Sequence, residues 1–365
     1  MQIGDVTNYL ESLAPLHLQE SYDNSGLIVG EKSNEIKGVL VCLDCVEAVV
    51  EEAISKGCNL IVAHHPIVFS GIKKFNNANY VQRTVQKAIK NDIAIYAIHT
   101  NLDNVLNNGV NERIAKQLKL KNIRILRPKS GELLKLVTYA PVNVKEVILQ
   151  ALFKAGAGHI GNYSECSFSS TGEGTYKAGE SANPTLGNVG ERHTEKEVKI
   201  EVILHKNLKS KVLESLFMEH PYEEVAYEIY QTLNVNREIG SGLIGELAEE
   251  IDVKEFLKGL KKSMELDVIR YTKFDKKVRT VALCGGSGEF LLSDAISSRA
   301  DVFITGDFKY HQFFDAEEKL MICDIGHYES EKYTIDLLND LITEKFSKFA
   351  VLKTEVVTNP VKYFL

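Results

Sequence analysis

The sequence predicts an α/β protein of two pseudo-repeated halves, with an α+β domain inserted between them. Three observations carry this: apolar, β-branched runs alternate with helical spacings toward both ends of the chain, the two ends match at a fixed offset, and the middle is Gly-rich and polar. At 365 residues, 44% hydrophobic and 25% charged, the chain has room for two or three domains and a large core.

Sliding the sequence by 242 residues lays Val39-Leu-Val-Cys42 over Val281-Ala-Leu-Cys284, and the stretch from Ala53 to His65 over that from Ala295 to Asp307 without a gap. Each copy reads as a strand, a helix with apolar residues at three and four spacing, and a second strand, a βαβ unit with a right-handed crossover. A further strand then ends in His99-Thr-Asn-Leu-Asp103 in one copy and His327-Tyr-Glu-Ser-Glu331 in the other, so a histidine precedes a carboxylate by four residues in both. The halves are expected at 1–127 and 235–365.

Residues 128–234 differ. A strand at Leu133–Tyr139, a helix over Val144–Ala155, a polar Gly-rich stretch, an alternating strand at Val198–Leu204, a helix over Leu208–Glu219 and a strand at Val225–Tyr230 give roughly a β-α-β-β-α-β order, the split ferredoxin-like pattern. Gly172, Gly174, Gly179 and Gly187 with Asn183-Pro184 mark loops or a hairpin, since no phosphate-loop motif is present. Glu219-His220-Pro-Tyr-Glu-Glu-Val225 contains possible metal ligands, but reads first as a turn and strand entry that shapes the insert.

A net charge of -7, a pI near 5.9 and scattered Lys and Arg argue against nucleic acid as a direct partner. The N-terminus lacks a basic region followed by an apolar stretch, and no run of 18 apolar residues occurs, so a cytoplasmic protein without a membrane partner is expected. Six cysteines, mostly in apolar segments, fit reduced buried thiols. Cys42-Leu-Asp-Cys45 is formally a C-x-x-C, but no second pair completes a four-thiolate zinc site.

The candidate site follows from the strand ends. His64-His65 closes the apolar run Leu60–Ala63, Asp103 follows His99, and His327 and Glu331 lie at i and i+4. Alone, a strand-end histidine is usually just a satisfied polar residue, and Asp103, between Asn101 and Asn104, can cap a turn. Together, His64, His65, Asp103, His327 and Glu331 offer three imidazoles and two carboxylates, which suits borderline divalent ions such as zinc, iron or manganese. Five ligands exceed one tetrahedral ion, and a carboxylate can bridge two ions roughly 3.5 to 4 Å apart, so a dinuclear centre is expected. Adjacent His64 and His65 point different ways on a regular strand and so reach different ions, unless the backbone turns at Pro66. His99 and Asp307 fill the equivalent positions opposite His327 and His65 and are candidates for proton transfer or for orienting the ligands.

Tyr22-Asp-Asn-Ser-Gly-Leu-Ile-Val-Gly30, Ala63-His-His-Pro66, His99-Thr-Asn-Leu-Asp103, Thr305-Gly-Asp307 and Gly326-His-Tyr-Glu-Ser-Glu331 together resemble the NIF-three-like dinuclear metal proteins, often labelled GTP cyclohydrolase I type 2 homologues. The resemblance spans essentially the whole chain. Tyr22 stands where the motif often carries Trp, and the chain has no Trp. The resemblance implies metal ligands at His64, His65, Asp103, His327 and Glu331 with the glutamate as bridge, an insert similar to the PII and CutA folds, and a ring-shaped homohexamer with its sites facing an internal cavity.

The expected activity is metal-dependent hydrolysis of a small molecule, with nucleotides among the candidates: two divalent ions per chain, zinc ahead of iron or manganese, would activate water. The GTP substrate is carried by the label alone. The alternative is a non-catalytic ring that stores or delivers metal, or senses a ligand.

Overall fold

The computed structural model describes residues 1–364, which divide into two compact units: 1–128 with 237–364, and Lys129–Asn236. In chain order the first unit opens with helix α1 (Ile3–Leu13), strands β1 (Gly26–Val29) and β2 (Gly38–Asp44), α2 (Glu47–Ser55), β3 (Leu60–His65), α3 (Tyr80–Lys90), β4 (Ala94–Ala97), the single turn α4 (Thr100–Asp103), α5 (Val110–Gln117) and β5 (Lys121–Pro128). The second unit is β6 (Leu133–Pro141), α6 (Lys145–Lys154), β7 (Ser167–Lys177), β8 (Arg192–His205), α7 (Lys209–Glu219) and β9 (Tyr227–Gln231). The first unit then resumes with β10 (Gly240–Ile251), α8 (Val253–Ser263), β11 (Arg270–Tyr271), β12 (Val278–Ser287), α9 (Leu292–Ser297), β13 (Val302–Gly306), β14 (Met321–Asp324), α10 (His327–Glu331), α11 (Thr334–Lys345) and β15 (Ala350–Lys353).

The first unit holds two sheets, ordered β1-β4-β3-β2-β15 and β11-β14-β13-β12-β10-β5. Their parallel cores repeat one another to the residue. Val39 pairs with Leu60, Leu40 with Ile61 and Val41 with Val62; 242 positions later Val281 pairs with Val302, Ala282 with Phe303 and Leu283 with Ile304. Where α3 leads into β4, the second copy has only a 3-10 stretch, Tyr310–Ala316, so its third strand arrives after a shorter connection. The edges are exchanged: β15, from the C-terminal half, pairs with β2, and β5, from the N-terminal half, pairs with β10.

Both faces of these parallel strands are covered, which is why they read as unbroken apolar runs. Val39, Val41, Leu60 and Val62 share one core with Val281, Leu283, Val302 and Ile304, so the sheets' inner faces meet. Leu40, Cys42, Ile61 and Ala63 pack outward with residues of α2 and α3, while Ala282, Phe303 and Ile322 pack outward with α9. His64 and His65 are the last two residues of β3, so the two faces of the strand end in different environments.

The second unit runs β-α-β-β-α-β, with its antiparallel sheet ordered β7-β8-β6-β9 and α6 and α7 covering one face. The Gly-rich stretch is largely the long hairpin of β7 and β8. All six cysteines are free, and among the described residues no helix is long and apolar enough to cross a membrane. Burial pushes the Cys42 thiol well up and that of Cys45 to about 12, so neither is a reactive thiolate.

Tyr96 is fully buried on β4, and its hydroxyl has no hydrogen-bond partner. Removing a buried unsatisfied group relieves its desolvation penalty, so Tyr96→Phe should raise the unfolding free energy by about 1 kcal/mol, read from the urea midpoint. A lower midpoint would show that the hydroxyl is satisfied.

Candidate metal centre

Three elements from two halves deliver the site. β3 brings His64 and His65, the turn α4 brings Asp103 behind its N-cap His99, and α10 places His327 and Glu331 on one face at i and i+4. Gly326 enters α10 at φ 92, and a Cβ on Gly306 would lie 2.8 Å from the His327 nitrogen, so glycine at 306 lets α10 start against the end of β13.

The donors form two groups that share one carboxylate. His65 Nε2 and His327 Nε2 lie 3.0 and 3.1 Å from Glu331 Oε2 and 3.4 Å from each other. His64 Nε2 lies 3.7 Å from Glu331 Oε1 and 3.6 Å from Asp103 Oδ1. An ion with bonds of about 2.1 Å in a tetrahedral shell sets its ligand atoms about 3.4 Å apart, so both triangles are of the right size. His99 forms a further group with His64 and His65.

Each imidazole is oriented through its other nitrogen. His64 Nδ1–H donates to the Ile98 carbonyl (2.8 Å), His65 Nδ1–H to Asp44 Oδ1 (2.8 Å), His327 Nδ1–H to Asp307 Oδ2 (2.6 Å) and His99 Nδ1–H to Asp23 Oδ1 (2.8 Å). Thr358 Oγ1 donates to the second oxygen of Asp44 at 2.7 Å. Histidine ligands are commonly held in this way, with Nε2 turned to the ion. The sequence reading had placed Asp307 and missed Asp44 and Asp23. Asp44 sits inside the C-x-x-C, where the cysteines drew attention, and its register opposite His65 on the neighbouring strand is the signal that identifies it.

Burial and neighbouring charges set the protonation of each donor. Burial opposes the ionised form of Glu331, but hydrogen bonds from His327 and His65 hold its carboxyl well below the usual range. Burial also opposes charge on His65, yet Asp44 and Glu331 push it up to about 10; the same balance, with Glu331 and Asp307, takes His327 to about 9. Burial keeps His64 neutral, and burial together with the Glu331 charge raises Asp103 well above an ordinary carboxyl. His64 Nε2 and Asp103 Oδ1 are both buried without a hydrogen-bond partner, as expected of atoms set to face a cation.

The site lies in a cleft of about 770 Å³ between the two halves, with Tyr22, Phe69 and Phe290 among its walls. The sequence profile of Duf34/NIF3 (NGG1p interacting factor 3) matches residues 1–360. The chain belongs to the Duf34/NIF3 family. Its relatives include a GTP cyclohydrolase 1 type 2 homolog of Halalkalibacterium halodurans, 39% identical over 98% of this chain and 96% of that one, and its namesake in Bacillus subtilis, 37% identical over 97% and 96%. A Bacillus cereus protein related to NIF3 superposes with a TM-score of 0.85 at 38% identity, covering 100% of this chain and 99% of that one. The Duf34/NIF3 relationship thus takes in both repeated halves and the inserted unit.

Two predictions follow from this geometry. In the metal-free protein His65 and His327 hold protons that a cation must displace, so zinc binding should release protons near neutral pH and strengthen as pH rises toward about 9 to 10. Titration in weak buffer with a pH electrode reads this; binding that is indifferent to pH would refute it. Gly286 has φ +64, and a Cβ there would lie 2.4 Å from Glu331 Oε1, so Gly286→Ala should cost most of the bound metal while circular dichroism stays native.

Proposed function

We propose that the five-donor cluster holds two divalent ions, zinc ahead of iron or manganese, and that the protein is a cytoplasmic metal-dependent hydrolase of a small molecule. One observation carries the reading: His64 Nε2 and Asp103 Oδ1, buried and without hydrogen-bond partners, converge with Glu331 Oε1 on one point. His64, Asp103 and Glu331 would hold one ion, and His65, His327 and Glu331 the other. When bound, such ions acidify water and stabilise negative charge developing on an attacked carbon or phosphorus.

The chain's own residues supply the rest. His99 gives its Nδ1–H to Asp23, which leaves Nε2 to accept a proton from water and return it to a leaving group. Burial would raise the Asp23 carboxyl, but hydrogen bonds from His99 and Thr100 hold it far below the usual range, so it stays an anion and fixes that tautomer. Asp307 acts through His327 as a positioning residue, as Asp44 does through His65. The cleft is of a size for one small molecule, and the relatives' name, GTP cyclohydrolase 1 type 2 homolog, puts GTP on the first substrate panel.

Elemental analysis of untagged full-length protein tests the reading. Wild type should carry two ions per chain, Asp103→Asn one, and Glu331→Gln none. His99→Ala should keep both ions and lose at least about a hundredfold in turnover on a panel of nucleotides, amides and phosphoesters. Wild type without metal would sink the proposal. Two tightly held ions with no turnover across the panel would instead favour metal storage or ligand sensing.

A further inference from the structure

The second unit contains a cavity of its own, about 600 Å³, assembled from the segments that the metal centre leaves unused. Its floor is the sheet face opposite the helices. Leu136, Ala140, Val198 and Ile200 pack against the helices, whereas Tyr139, paired with Lys199, and Gly172, paired with Glu197, face the other way. The loop between β7 and β8, with Ala178, Ala182, Pro184 and Thr185, and the His220-Pro-Tyr-Glu-Glu segment, with Tyr222, Glu223 and Glu224, form its walls.

The walls are tied together before any ligand arrives. Buried His220 donates from Nε2 to the Tyr139 carbonyl (2.9 Å) and accepts at Nδ1 from the Tyr222 backbone N–H (3.2 Å). Thr185 Oγ1 donates to the Pro221 carbonyl (2.8 Å), the Asn183 N–H to Glu223 Oε2 (2.8 Å), and the Tyr176 hydroxyl to the Leu186 carbonyl (2.6 Å). His220 therefore works as a brace.

Inside, three tyrosine side chains, Tyr139, Tyr176 and Tyr222, accompany the Glu197 carboxylate. The Tyr222 hydroxyl donates to Glu197 Oε1 at 3.0 Å, and the rings of Tyr176 and Tyr222 meet edge to face at 6.3 Å. A Cβ on residue 174 would lie 1.9 Å from Glu197 Oε2, so glycine at 174 is what allows the carboxylate its position; a Cβ on Gly172 would meet nothing within 4 Å, so its missing side chain is open volume. Glu173, Glu223 and Glu224 also line the cavity, and its single cationic side chain, Lys199, is already paired with Glu201.

We propose that this cavity binds an organic ammonium ion, a protonated amine or a quaternary ammonium, with its positive centre against the tyrosine rings and Glu197. Aromatic faces attract a weakly hydrated cation, and the lining charge repels anions. A bare divalent ion would need several converging oxygens, and among the described residues no three donor groups of this cavity come together as those of the metal centre do.

The test is titration of the full-length protein with tetramethylammonium, choline and spermidine by calorimetry, using wild type, Glu197→Gln and Gly172→Leu. At least one cation should saturate; Glu197→Gln, whose amide oxygen still accepts from Tyr222, should weaken it about tenfold, and Gly172→Leu should abolish it by filling the floor. Metal content should be unchanged in both variants, which separates this site from the first. Saturation by none of the three cations, affinity unchanged in Glu197→Gln, or equal binding of acetate would overturn the proposal.

Discussion

A carboxylate almost sealed from water, Glu331, is shared by imidazoles from both halves of the chain, and the first unit is organised around it. An ionised carboxylate taken out of water loses several kcal/mol of hydration, so it persists only where charge or directed hydrogen bonds replace that water. Here the replacement comes from β3 on one side and the same turn of α10 on the other. That sets strict conditions on the backbone: β3 must end at the level where α10 begins, and glycine is needed at 286 and 306 where a side chain would collide with the glutamate or with α10. The five donors converge only because these conditions are met together.

Much of the first unit was legible in the sequence because its signals are local. A parallel strand covered on both faces must be apolar throughout, so β3 and β13 stand out, and the offset of 242 residues reappears as the same strand register in each sheet. The donors were legible because each sits at the end of such a run. The groups that orient them were harder. Asp44 reaches His65 from a neighbouring strand, and Asp23 reaches His99 from a loop 76 residues earlier, so no spacing along the chain connects them. The exchange of β5 and β15 between the sheets was invisible for the same reason: edge pairing depends on where the chain travels, not on the strand's own residues.

The second unit shows what its glycines are for. The polar, Gly-rich run, read as loops or a hairpin, is largely the hairpin of β7 and β8, and β7 holds Gly172 and Gly174 within regular pairing to β8. They are there for the side chains opposite, one leaving room for Glu197 and the other leaving space empty. His220, with two ring nitrogens that suit a metal, spends both on backbone groups. Residue type alone could not separate a brace from a ligand; the partners of its two nitrogens do.

The exchanged edge strands bear on how the protein is made. Ala350 of β15 pairs with Gly38 of β2, 312 residues earlier. While the polypeptide is emerging, the edge of β2 therefore stays uncovered until those 312 residues have been made, a surface on which other unfinished chains can pair. His64 and His65 are translated early, but Glu331, which completes their surroundings, follows His65 by 266 residues and precedes Ala350 by 19. The donor cluster is thus completed just before the sheet edge can close, and a chain that stops short of Glu331 gains neither.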